Sequence, residues 1–419
     1  MPMSKNKSKS DLELARDFHD VDTTQWRGLV EKGLRGADFE SLLKTTDDGL
    51  TRGPFSEDAH RPETIAPLPR AGAPLLEGRP WHITATVSDP DIAYANQQAL
   101  EDLEGGASAL RITLGGGGIE IKNKNEMKRL LDQVYTNLIP LIIAPNTELD
   151  NAKLFEDFKD SHICLGLDPS VEGLAELATT VPPTWRLINI NTAEVHEQGG
   201  SEAQELAAFA ASAAQAFRAL GKDAAKHIGA EITTNQDGHL SIAKLRAARR
   251  IYARIAESFG VSDAPLSLHA VTSGRMMQST DPWTNMLRVM SAGFGAVIGG
   301  ADFITTRAFT HSIGTPTGFG KRIARNIQLM MMKESQLGQV QDAAFGSYFH
   351  ERMSDELAKT AWAEFQQIES EGGLTDNTAF QERVSQMAKA RANKAEPILG
   401  VTLHPAETNR EAKVRRTYS

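Results

Sequence analysis

The stretch "LSLHAVTSGRMMQSTDPWTNMLR" spans residues 266–288. Leu266, Leu268 and Ala270 alternate with Ser267 and His269, a period of two that predicts a strand. A hydroxyl pair and a glycine follow at Thr272–Gly274. Asp281 and Pro282 then read as the cap and first position of a helix, where proline's missing N–H costs nothing. This is a strand–turn–helix unit whose strand is apolar on one face and polar on the other.

Working outward, the same unit recurs. Strand-like runs lie at His82–Ser88, Ala109–Leu114, Pro140–Ala144, His162–Leu167, Arg186–Ile190, Ile228–Thr233, Leu266–Val271 and Phe303–Thr306. Helical stretches long enough for right-handed crossovers separate them. After the fifth run, Leu206, Phe209, Ala213, Phe217 and Leu220 fall on one helical face, and "SEAQ" opens the helix as a capping box with Ser201 and Gln204. Ile242, Leu245, Ala248, Tyr252, Ile255 and Phe259 repeat the spacing. Eight such repeats, followed by helices from 319 to 395, predict a (β/α)8 barrel in preference to an open doubly wound sheet.

The remainder divides around that barrel. Residues 1–80 read as a disordered tip, two short helices near Trp26 and Phe39, and a Pro-rich extended arm from Leu50 to Pro80. Residues 81–350 are the barrel, and 351–419 are C-terminal helices and a polar tail. The arm suits a segment laid over another surface.

Composition narrows the class. The 419 residues carry a net charge of −9 and are 40% hydrophobic. That balance argues against a nucleic-acid footprint. Cys164 is the only cysteine, which excludes an intrachain disulfide and a cysteine-rich metal site. The basic, polar N-terminus has no secretory apolar core, and no run reaches membrane-span length. A cytoplasmic protein is expected.

Four of the eight strands present polar inner faces: His82, Thr84, Thr86 and Ser88; Asn189 and Asn191; Glu231, Thr233 and Asn235; Ser267 and His269. Barrel interiors are ordinarily packed with branched aliphatics, and buried polar groups are costly without partners. A channel through the barrel axis is therefore expected. Residues at strand C-termini are the site candidates: Gly115–Gly118, Asp168, Asn191, Glu194, His196, Glu231, His269, Ser273 and Arg307. "GGGG" at 115–118 lacks the Lys-Ser of a phosphate loop and reads as a turn. His196 suits a general acid or a structural histidine equally, and His269 a satisfied structural one. Neither "G-x-S-x-G" nor "H-E-x-x-H" occurs. The methionines of "IQLMMM" at 327–332 read as core.

"SEAQELAAFAASAAQAFRAL", "IAKLRAARRIYARIAESFG", "LHAVTSGRMMQSTDPWTNMLR", "GGADFITTRAF", "FGKRIARNIQLMMMKES" and "DELAKTAWAEFQQIESEGG", in that order, resemble the methylmalonyl-CoA mutase family, above all its small, non-catalytic subunit. "WRGLVEKGLRGADFESLLKTTDDGL" resembles the family's entry segment. The likeness covers roughly residues 24 to 403. It implies a (β/α)8 barrel that threads coenzyme A down its axis. It also implies a radical rearrangement between methylmalonyl-CoA and succinyl-CoA with adenosylcobalamin, and a large catalytic subunit as partner.

Three departures from the family's catalytic pattern bear on this chain's role. No match to the cobalamin motif "D-x-H-x-x-G" follows the barrel; "DAHRPE" at 58–63 lies at the other end and ends in Glu63. The Tyr-His pair after the fifth strand corresponds to "AEVHEQGG", where Val195 replaces the tyrosine if His196 is aligned with the histidine; aligned without a gap, neither is retained. The element "H-S-Q-T-S-G" reads "HAVTSG", with Val271 in the glutamine's place. The resemblance thus implies a small-subunit-like partner with adenosylcobalamin bound mainly by the other chain. His196 and His269 remain as catalytic candidates of an incomplete set, and Asn191, Glu231, Ser273 and Arg307 as substrate contacts. The alternative is a substrate-binding catalytic barrel whose cobalamin domain is a separate chain.

Overall fold

The computed structural model describes residues 22–56, 73–76, 78–394, 396–405 and 410–417. The N-terminal tip, the middle of the Pro-rich arm and "DAHRPE" lie outside the described residues.

Two compact units emerge. Among the described residues, the smaller comprises 22–46 together with Thr51–Phe55. Its helix α1 (Thr23–Gly33) is capped by Asp22, whose carboxylate accepts from Gln25 N. Trp26 packs against Phe39 and Phe55, with ring centroids 6.1 and 5.3 Å apart. The second helix expected near Phe39 is a single 3-10 turn, Phe39–Leu42. Leu43 is already extended, because Lys44–Thr45 pairs antiparallel with Thr51–Arg52 and pulls the chain out of the helical region.

The larger unit holds the barrel and everything C-terminal to it. Eight parallel strands close a ring: β1 (His82–Val87), β2 (Ala109–Ile112), β3 (Leu141–Ile143), β4 (Ile163–Leu167), β5 (Arg186–Asn191), β6 (Ile228–Thr234), β7 (Ser267–Thr272) and β8 (Phe303–Thr305). β8 lies between β7 and β1, so no open edge remains. All eight expected strands are present. β4 carries a bulge between Cys164 and Leu167. Gly166 makes it feasible: its φ is +69°, and a Cβ there would lie 2.3 Å from the Ile143 carbonyl oxygen.

The outer faces of the strands meet a ring of helices, of which α2 (Ile92–Glu104), α3 (Glu202–Leu220), α4 (Gly238–Ser258), α5 (Asn285–Ile298) and α6 (Gly318–Lys333) frame the site. The core between wall and helices includes Leu110, Ile143, Ile188, Ile232 and Leu268 against Phe209, Phe217, Leu245 and Tyr252. The capping box of α3 is formed: Ser201 Oγ accepts from Gln204 N, and Gln204 Oε1 accepts from Ser201 N. The start of α5 differs from the expectation. It begins at Asn285 with Thr284 as cap, and Asp281 instead accepts from the Thr284 N–H and hydroxyl in the preceding turn.

α3 is buried nearly all round, beyond the one face that its periodicity indicated. The cause is α7 (Tyr348–Ser370), which packs across α3 and α4 and buries Leu357, Ala361 and Ile368. Arg246 of α4, 1% exposed, joins Glu351 at 2.7 Å and Asp342 at 2.8 Å. Residues 351–392 therefore belong to the barrel unit. After α8 (Thr378–Ala392) the chain returns to the rim, where β9 (Gly314–Pro316) pairs antiparallel with β10 (Val414–Thr417).

Candidate functional site

The barrel lumen is lined by the polar inner faces, but it is not a through channel. Arg111 of β2 reaches across to Glu231 of β6 in a two-pronged pair, Nε–Oε2 2.8 Å and NH2–Oε1 2.9 Å. His269 of β7 stands beside it, with Nδ1 3.6 Å from Glu231 Oε2 and Nε2 2.9 Å from Thr305 Oγ1. Below, the Phe303 ring stacks on His82 at 5.0 Å and meets His269 edge-on at 6.0 Å. The registers place these groups level: Glu231 opposite His269, and Phe303 opposite both His269 and His82. A planar guanidinium matched to a carboxylate is a strong, directional contact, so it spans the lumen as a bar. Arg111 was not among the sequence candidates; an arginine at an inward position of the short strand "ALRI" was the available signal.

Electrostatics fit the bar. Burial raises the Glu231 carboxyl, but Arg111 beside it outweighs that and holds it below the ordinary carboxylate range. Burial lowers the His269 imidazole to about 4, against the pull of Glu231. His269 is thus neutral near pH 7, and its approach to Glu231 is not an ion pair.

A cavity lies on each side of the bar. The upper one, about 680 Å³, opens at the C-terminal ends of the strands and is lined by Thr84, Thr86, Ser88, Glu231 and Arg307 among others. Gly116–Gly118 also face it, in a turn where Gly115, Gly116 and Gly117 are all left-handed. The lower one, about 310 Å³, lies at the strand N-termini around Asn189, Ser267 and His269.

The other candidates fall elsewhere. His196 lines neither cavity. It is buried behind the wall, with Nε2 2.8 Å from Ser273 Oγ and Nδ1 3.6 and 3.5 Å from Glu202 and Glu205. A serine, an imidazole and a carboxylate in line resemble a nucleophile relay, and the histidine with both glutamates is spaced as a metal triad would be. Neither chemistry is accessible. His196 and Ser273 are both 0% exposed, and the Lys244 ammonium already sits 3.2 and 2.6 Å from the two glutamates. The polar end of β6 joins the same cluster: Thr233 donates to Glu205 and Asn235 to Glu202. Those two polar residues face α3 and not the lumen, because the helix brings its carboxylates to the strand end.

Asn191 caps the turn after β5 through Ala193 N at 3.0 Å. Asp168 accepts from Ser170 N at 2.8 Å and is exposed, as is Glu194. Arg307 sits at the upper mouth. It donates to the Thr272 carbonyl at 2.7 Å and to His311 Nε2 at 3.1 Å. Burial, with Arg307 beside it, lowers His311 to about 4.

The rim above the upper cavity is bridged by the chain itself. Arg415 of β10 lies 3.4 Å above the Tyr94 ring and pairs with Asp89, and Trp283 Nε1 donates to the Arg410 carbonyl at 2.9 Å. Thr315, Pro316, Arg415 and Arg416 face the cavity.

The methylmalonyl-CoA mutase family model matches residues 166–417. The chain is 36% identical to the methylmalonyl-CoA mutase small subunit of Streptomyces virginiae, over 95% of this chain and 73% of that one. It is 31% identical to the small subunit from Propionibacterium freudenreichii subsp. shermanii, over 94% and 70%. The Escherichia coli methylmalonyl-CoA mutase is 24% identical, over 88% and 61%.

The chain belongs to the methylmalonyl-CoA mutase family. The barrel of this chain has an axis barred by Arg111, Glu231 and His269. Among the described residues, no helix is long and apolar enough to cross a membrane.

Proposed function

We infer that this chain is a small-subunit-like component of a methylmalonyl-CoA mutase, a non-catalytic partner of a large subunit that carries out the isomerisation. The observation that carries the reading is the barred lumen. A thioester extended along the axis would have to displace the Arg111–Glu231 pair and the His82–Phe303–His269 stack. Breaking a buried pair costs roughly 3–5 kcal/mol when one charge is left alone. Closure of the rim by β10 supports assigning adenosylcobalamin to the partner chain. The small-subunit names of the relatives at 31–36% identity support the partnership. A cytoplasmic complex is part of the same reading.

The alternative, a catalytic barrel served by a separate cobalamin protein, would need His196 beside the lumen. His196 faces Ser273, Glu202 and Glu205 instead, so no observation favours it.

The test is reconstitution. The purified chain with adenosylcobalamin and methylmalonyl-CoA should give no succinyl-CoA. Mixed with a mutase large subunit from the same source, it should co-elute with it on size exclusion, and turnover should depend on the large subunit. Turnover by this chain alone, or failure to associate, overturns the proposal.

A further inference from the structure

The lower cavity has chemistry that the subunit role does not use. Ile142, Ile163, Cys164, Pro74 and Phe303 give it an apolar side. Arg186, Asn189 and Ser267 line the same space. Asn189 is 4% exposed, yet among the described residues its Nδ2 finds no acceptor. NH1 of Arg186 is likewise buried without one, and the Arg186 guanidinium makes no ion pair among the described residues.

Buried donors without acceptors are rare in native proteins, and each costs about 1–3 kcal/mol, more when charged. Here both residues belong to β5 and line one cavity. The requirement is for an acceptor, and the guanidinium asks that it be anionic. An ordered water needs two to four polar partners and finds them at Asn189, Ser267 and His269, but a neutral water leaves the Arg186 charge without a counterion. At about 310 Å³ the space matches the small end of ligand sites. The bar above it ends the space at His269, so an occupant must be short. Lys226 also lines the cavity, but its ammonium is already paired with Asp223 at 2.7 Å, so the charge left to be met is that of Arg186.

We propose that the lower lumen binds a short aliphatic carboxylate, its oxygens held by the Arg186 guanidinium and the Asn189 amide and its alkyl part against Ile142, Cys164 and Phe303. Planar guanidinium and amide donors suit a carboxylate better than a tetrahedral anion. This goes beyond the subunit role and stands or falls separately from it.

Isothermal titration of the full chain with hexanoate, hexanamide and hexylamine tests it. Hexanoate should bind saturably at one site, hexanamide about tenfold or more weakly, and hexylamine not at all. Arg186→Met and Asn189→Leu should each weaken hexanoate about tenfold or more. Ile142→Trp, which fills the cavity and leaves the donors in place, should abolish binding. Circular dichroism identifies any variant that fails to fold; Arg186→Lys then replaces Arg186→Met, keeping the charge while losing the planar fork, with the same weakening expected. No saturable binding at millimolar hexanoate, or binding unaltered by both Ile142→Trp and the Arg186 substitution, overturns the proposal.

Discussion

At the residue scale, Arg111 and Glu231 decide what the barrel can hold. Their side chains are 16% and 3% exposed, so neither charge tolerates losing the other. Arg111→Met alone leaves a buried carboxylate unpaired and should cost roughly 3–5 kcal/mol, whereas Arg111→Met with Glu231→Gln should cost markedly less. Urea unfolding of the single and double variants reads the difference; equal losses would show that the pair is not coupled. Ser267 and His269 were legible as inward-facing from their alternation alone. Arg111 was not, because its partner lies 120 residues away and nothing local announces it. His196 and Ser273, singled out separately, meet at 2.8 Å across 77 residues. Sequence spacing carries no trace of that contact.

At the element scale, local rules performed well wherever hydrogen bonds close within a few residues. The Ser201–Gln204 capping box opens α3 as its sequence indicates. Asp48 lies at the same helix end, accepting from Ala203 N at 3.2 Å, where a helix N-terminus favours an anion. Ser201→Ala should therefore destabilise the chain by about 1–2 kcal/mol. A shift of the denaturation midpoint without change of slope is the expected signature; an unmoved midpoint would show that Asp48 alone satisfies the helix end. The local rules failed at Asp281–Pro282 and near Phe39. In both places a competing contact, a turn before α5 and the Lys44–Thr45 ladder, displaced the helix that the side chains favoured. The all-round burial of α3 was equally out of reach. Its alanine-rich faces permit contact on several sides, but only the position of α7 determines that all are used.

At the scale of the whole molecule, buried titratable groups set the acid limit. His82 and His269 are each lowered to about 4 by burial and are almost fully inaccessible. The unfolded chain takes up those protons near 6.5, whereas the fold resists them until about 4. Stability is therefore complete above 6.5 and is lost as the pH falls through that window, by about 2 kcal/mol per histidine between pH 7 and 5. Asp48 acts oppositely: burial raises it to about 6, so its protonation on acidification favours the fold. For His82, His269 and Asp48 taken together the net is a loss of about 2–3 kcal/mol from pH 7 to 5, and His311 and His350, also lowered to about 4 by burial, add to the loss in the same direction. Denaturant titrations at the two pH values check it, and His269→Gln should remove part of the slope; a stability independent of pH would refute the buried-neutral assignment.

The eight strands, their order, the apolar face of each helix and the membership of a mutase family were all determined by the sequence itself. They rest on period, on capping chemistry and on long ordered motifs, which are properties of neighbouring residues. Whether the axis is open, which polar groups face the lumen, and that His196 is sealed behind the wall were decided only by the tertiary structure. The reason is geometric. Closure of the ring through β8 brings β2, β6 and β7 level across the axis, and a guanidinium and a carboxylate drawn to one another across that space become a bar that no stretch of chain encodes alone.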